Sequence, residues 1–83
     1  EPLIVSVDRE GTYYLMLGDD EMTVGLEELG DRVIILLERQ PDTQVLVRGD
    51  RFVPYGEIVA LMSTLQTAGV ANVGLISEPP PGD

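Results

Sequence analysis

The 83-residue chain contains neither cysteine nor histidine, and all five of its basic residues are arginine. Without cysteine there is no disulfide framework and no thiolate metal site, so cysteine usage does not identify a redox compartment. Without histidine the usual neutral-pH general base and the commonest zinc ligand are both missing. Lysine is absent as well, which leaves Ser6, Ser63 and Ser77 with no imidazole or amine to activate them, and nucleophilic catalysis has no constellation to stand on.

Fifteen acidic residues against five arginines set a formal net charge of -10. Phosphate backbones and anionic lipid surfaces are repelled by such a chain on average. Arg9, Arg32, Arg39, Arg48 and Arg51 are scattered apart from the last pair, so nucleic acid is not an expected partner. No apolar run reaches the roughly 20 residues of a membrane-spanning helix, and no signal-peptide pattern opens the chain. The chain starts at Glu1 rather than methionine, from which we expect a fragment or a processed form.

What is present is a regular alternation of elements. Leu3 to Val7 and Thr12 to Leu17 are β-rich runs around the turn DREG, predicting an antiparallel hairpin. An acidic turn, GDDE, then leads to a short extended piece ending at Thr23. From about Val24 to Arg39, Leu26, Leu29, Val33, Leu36 and Leu37 recur at helical spacing. Thr23 is placed as the N-cap of that helix, with Glu27 and Glu28 near the positive end of its dipole. Gly25 and Gly30 weaken it, by up to about 1 kcal/mol each relative to alanine.

QPDT at Gln40 to Thr43 ends the helix, and Val45 to Val47 predicts a short central strand. A second helix begins near Pro54, which suits a first turn because its missing N–H needs no partner there. Tyr55, Ile58, Leu61, Met62 and Leu65 form its apolar face, and Gly69 is placed to close it in the left-handed conformation. Asn72 to Ser77 reads as a last strand before a proline-rich tail, EPPPG. Strand, helix and strand over Val45 to Ile76 form a parallel crossover unit. The expected fold is α+β, a two-layer sandwich with two helices packed on one face of a mixed sheet of four or five strands. The expected division is a domain over residues 1–78 and a tail over 79–83.

Candidate sites are few. Asp19, Asp20 and Glu21 lie in a predicted exposed turn and lack the oxygen-ligand spacing of an EF-hand loop, so a solvated loop is the better reading. The tripeptide RGD at Arg48 to Asp50 follows a strand, where its glycine and aspartate suit an exit turn. GDRFVPYG lacks the lysine and spacing of a P-loop. No cofactor and no metal is expected. What remains is surface and backbone, because an open sheet leaves edge N–H and C=O groups that must be blunted or used.

The stretch VPYGEIVALMSTLQTAGVANVGLIS, from Val53 to Ser77, resembles the periplasmic domain of the TolR and ExbD family, small membrane-anchored subunits of proton-driven envelope motors. Val53, Pro54, Tyr55, Gly69, Val70, Gly74 and Leu75 carry the resemblance. PDTQVLVRGDR at Pro41 to Arg51 and VDREGTYYL at Val7 to Leu15 extend it over nearly the whole chain, more loosely before Gln40. The ending VGLISEPP, from Val73, is similar to the TolR branch.

The resemblance implies a periplasmic domain of a single-pass inner-membrane protein of a Gram-negative bacterium. Its one transmembrane helix, carrying a proton-bearing aspartate, would precede Glu1 and lie outside this chain. It further implies a homodimer, a TolQ-like channel subunit and a TolA-like force-transmitting subunit as partners, and contact with peptidoglycan. Outer-membrane integrity and cell division would be the processes served, and no enzyme activity is implied. An ExbD-like role in TonB-dependent transport is the alternative within the family.

For pairing, the first-choice edge is Val73, Gly74, Leu75, Ile76 and Ser77. The second-choice edge is Leu3, Ile4, Val5, Ser6 and Val7. Outside the family, a small-ligand module would have to use Gly49, Asp50, Arg51 and Tyr55 at the strand-to-helix junction.

Overall fold

Strict alternation in LIVSV makes Leu3–Val7 a strand, β1, with Leu3, Val5 and Val7 buried on one face. In this computed structural model, which describes residues 1–76, β1 pairs antiparallel with β2 (Tyr13–Leu17). Two residues, Gly18 and Asp19, then turn the chain into β3 (Asp20–Val24), antiparallel to β2. Helix α1 (Leu26–Arg39) leads to β4 (Val45–Gly49), and α2 (Tyr55–Thr67) connects β4 to β5 (Val73–Ile76). The sheet has five strands in the order β3-β2-β1-β4-β5, with β4 parallel to both β1 and β5. This is the α+β sandwich read from the sequence, with five strands rather than four. The proposed boundary at residue 78, the tail and Ser77 lie outside the described residues.

Register explains the layering. Leu3, Val5 and Val7 sit opposite Val45, Val47 and Gly49 on one side of β1, and opposite Leu17, Leu15 and Tyr13 on the other. Their shared face meets Leu29 and Val33 of α1 and Ile58, Leu61 and Leu65 of α2 in one continuous core. Each of these side chains contributes roughly 1.5–3 kcal/mol on burial. Among the described residues the opposite sheet face carries no helix, and its Ile4, Met16, Leu46 and Arg48 are half-buried. Arg48 there donates toward the Met16 sulfur at 3.6 Å.

Several local expectations need correction. Thr23 does not cap α1: it lies in β3 opposite Tyr14, and Gly25 holds the cap position without a side-chain hydrogen bond. The ladder with β2 satisfies more backbone groups than a single hydroxyl cap could, so β3 takes Thr23 and Val24. Asp20 and Glu21 likewise belong to β3, leaving only Asp19 of that run in the turn. Leu26, the first residue of α1, overhangs the core and is 43% exposed. Tyr55 also leaves its predicted face and is 71% exposed, since α2 begins at Tyr55 before the helix reaches the sheet.

The end of α2 closes as its sequence predicts. Gly69 has φ +107, its N–H donates to Gln66 at 3.0 Å, and the Val70 N–H donates to Leu65 at 3.0 Å. These two bonds satisfy terminal carbonyls, and buried Val70 seals the turn against buried Leu65.

Candidate docking edges and surfaces

Among the described residues, the sheet order shows which strands have an unpaired side. β5 and β3 are the two edges, whereas β1 is central and hydrogen-bonded to β2 and β4. The second-choice edge, Leu3, Ile4, Val5, Ser6 and Val7, is therefore not an edge. Both rows of its N–H and C=O groups are spent within the sheet, so no partner strand can reach them. The Leu3 N–H itself is taken by Gln44 at 2.8 Å.

The two true edges differ in chemistry. β3 carries Asp20 and Glu21, and like charges on an edge oppose pairing with a second copy. β5 carries none: Val73, Gly74, Leu75 and Ile76 are apolar or bare, and Leu75 is 43% exposed. Next to β3, on the helix side, lies an open cleft of about 420 Å³ whose lining includes Leu15, Leu17, Met22 and Leu36, rimmed by Asp20 and Glu21.

The strand-to-helix junction does not assemble a small-ligand site from its four candidates. Gly49 and Asp50 line a cleft of about 240 Å³ together with Ser6, Tyr14 and Arg48. Arg51 turns away to lie over the ring of Phe52, 5.2 Å from its centroid, and Tyr55 stands in solvent. The Arg48–Asp50 tripeptide is divided between the end of β4 and its exit turn, where the Asp50 carboxylate accepts the Phe52 N–H at 3.0 Å.

Sequence reading missed two features at this end. The first is a hydrogen-bonded node in the β1–β2 turn. Asp8 accepts the Thr12 N–H at 2.9 Å, the Glu10 N–H at 3.0 Å and the Tyr14 hydroxyl at 2.8 Å. The Thr12 amide, then the Tyr14 hydroxyl, hold the Asp8 carboxyl below its ordinary value of 3.8, and the same bond to Asp8 raises Tyr14 above 10.0. The second is Phe52, 58% exposed, with Arg9 from the β1–β2 turn at 5.9 Å from its centroid as well as Arg51. An Asp followed by a turn signals the node; nothing local signals a contact between residues 9 and 52.

Among the described residues no group of His, Cys, Asp and Glu side chains is arranged to hold a metal ion, and no helix is long and apolar enough to cross a membrane. The arrangement offers edges and surface contacts.

Comparison with known proteins agrees on one lineage. The family model described as "Biopolymer transport protein ExbD/TolR" matches residues 1–79. A Tol-Pal system protein TolR from Pseudomonas aeruginosa is 44% identical over 94% of this chain and 58% of its own length. The Escherichia coli protein of the same name is 33% identical over 94% of this chain and 56% of its own. Biopolymer transport protein ExbD from Escherichia coli is 31% identical over 80% and 50%. The TolR branch is thus the nearer one, and the chain spans a little over half the length of the TolR relatives it matches.

Proposed function

The chain belongs to the ExbD/TolR family of biopolymer transport proteins, which are not enzymes, and from that premise we propose that it is the periplasmic domain of a TolR-like subunit of the Tol-Pal envelope motor. The observation that carries the reading is identity: 44% over nearly the whole chain to a TolR, against 31% over a shorter span to an ExbD. In this role the domain works by docking. An inner-membrane helix preceding residue 1 anchors it, a TolQ-like subunit supplies the ion channel, and a TolA-like subunit takes up the force. Contact with peptidoglycan and service to outer-membrane integrity and cell division belong to the same reading.

Two copies pair through β5. The motive is the contrast between edges, since β5 offers free backbone groups beside exposed Leu75 while β3 presents carboxylates.

The test is replacement. Joined to an inner-membrane anchor and expressed in a cell lacking its own TolR, the domain should restore outer-membrane integrity, and it should fail to restore TonB-dependent uptake in a cell lacking ExbD. The reverse result would move the chain to the ExbD branch. Pelleting with purified peptidoglycan and sedimentation equilibrium test the wall contact and the dimer separately.

A further inference from the structure

We propose that Arg9, Phe52 and Arg51 form a docking site for an acidic segment of a partner protein, at the end of the sheet where β1 and β4 finish. The proposal uses neither β5 nor a second copy, so it stands apart from the pairing described above.

The first observation is how the arginines are spent. In a chain with fifteen carboxylate side chains and five guanidiniums, an arginine has many anionic partners to choose from. Yet among the described residues the one ion pair is Arg32–Glu28. Arg9 and Arg51 come from two separate loops and converge on one ring instead, at 5.9 and 5.2 Å from its centroid. A ring face holds a guanidinium but takes none of its N–H donors, so among the described residues no carboxylate claims either fork.

The second observation is that the local aspartates are already committed. Asp8 is turned into its own loop by three hydrogen bonds, and Asp50 accepts the Phe52 N–H while its carbonyl accepts the Val53 N–H at 2.9 Å. These bonds also hold the two loops in shape, so the cluster is set before any partner arrives. Glu10 beside Arg9 is exposed and makes no ion pair with either guanidinium.

The third is exposure. Phe52, 58% exposed in the β4–α2 connection, and Tyr55, 71% exposed at the first position of α2, stand near one another in sequence, and aromatic residues with arginine are what interface centres are enriched in. The net charge of -10 does not forbid an acidic partner. At physiological ionic strength charges beyond about 8 Å are largely screened, so nearby groups decide the contact: Asp8, Glu10 and Asp50 keep their charge with their loops, and what the site offers an incoming carboxylate is the N–H donors of Arg9 and Arg51. A sugar face is disfavoured as the occupant, because the guanidiniums already lie over the ring.

The test is an NMR titration of the 83-residue chain with a capped pentapeptide alternating glutamate and leucine, with its lysine–leucine counterpart as control. The glutamate peptide should move the amides of Arg9, Arg51, Phe52 and Tyr55, and its affinity should fall at least about threefold between roughly 50 and 300 mM salt. F52A should weaken binding about fivefold, and R9A and R51A about threefold each, with melting temperatures within a few degrees of the parent. The proposal is overturned if the lysine peptide binds as well, if the shifted amides lie on β5 or the β3 cleft, or if F52A binds like the parent. Phosphatidylglycerol vesicles that move the same amides more strongly than the peptide would reassign the site to an anionic membrane surface.

Discussion

The Cβ that Gly30 lacks would lie 2.6 Å from the Cβ of Ala68, so α1 meets the C-cap of α2 where one residue has no side chain and the other the smallest. Helix propensity alone favours alanine at position 30 by about 1 kcal/mol, while forced overpacking costs about 1–3 kcal/mol. The second term wins. G30A should destabilise the domain by up to about 2 kcal/mol in urea unfolding, and in an A68G background the same change should become neutral or favourable. Equal effects of G30A in both backgrounds would show that the two residues are not coupled.

G69A should cost about 1–2 kcal/mol, because an L-residue at φ +107 is strained and the closing turn of α2 depends on it. L65A should cost more, about 2–5 kcal/mol, since Leu65 is fully buried between the sheet and Val70. The ranking of the two in chemical denaturation checks the cap against the core.

Asp8 makes acid stability specific to one turn. Its folded pKa lies below the unfolded 3.8, so its contribution is complete above 3.8 and is lost as pH falls through the folded value. Tyr14 is shifted upward, so its contribution is present below 10.0 and is lost as pH rises through its folded value. D8N, which keeps an acceptor but no charge, should melt earlier than the parent near neutrality. The two should converge as pH drops below 3.8. A difference that stays constant across the acid range would remove the role assigned to the Asp8 charge.

L75E places a charge on the apolar edge. Sedimentation equilibrium should show self-association weakened at least about tenfold, with the melting temperature of the isolated fold nearly unchanged, because surface substitutions away from special features stay within about 0.5 kcal/mol. An unchanged association constant would place the dimer contact elsewhere.

Much of this architecture is local and was readable. The spacing of Leu29, Val33, Leu36 and Leu37 predicts α1, and Gly69 predicts where α2 stops. The failures are non-local. DEMTV has one buried residue, Val24, and only pairing with Tyr13–Leu17 makes it a strand, so Thr23 passes for a cap. Leu3–Val7 reads the same whether it lies at an edge or between two neighbours, and only the return of β4 beside it decides. Gly30 looks like a weak point in α1 until Ala68, far along the chain, is seen to need the space. The meeting of Arg9 with Phe52 has no sequence period at all.

Because β1, β4 and β5 run parallel, Leu3 and Ile76 stand at opposite ends of the sheet. Tension applied between those residues runs along the strand axes and loads the ladder bonds side by side, so they must rupture together instead of peeling in succession. Leu3 and Leu17, by contrast, are neighbours at one end, and handles there would unzip the β1–β2 ladder bond by bond. Optical-tweezer traces are expected to record a higher rupture force for the first geometry than for the second. Such a sheet resists a pull from one pole of the domain to the other better than it resists a pull at a single end.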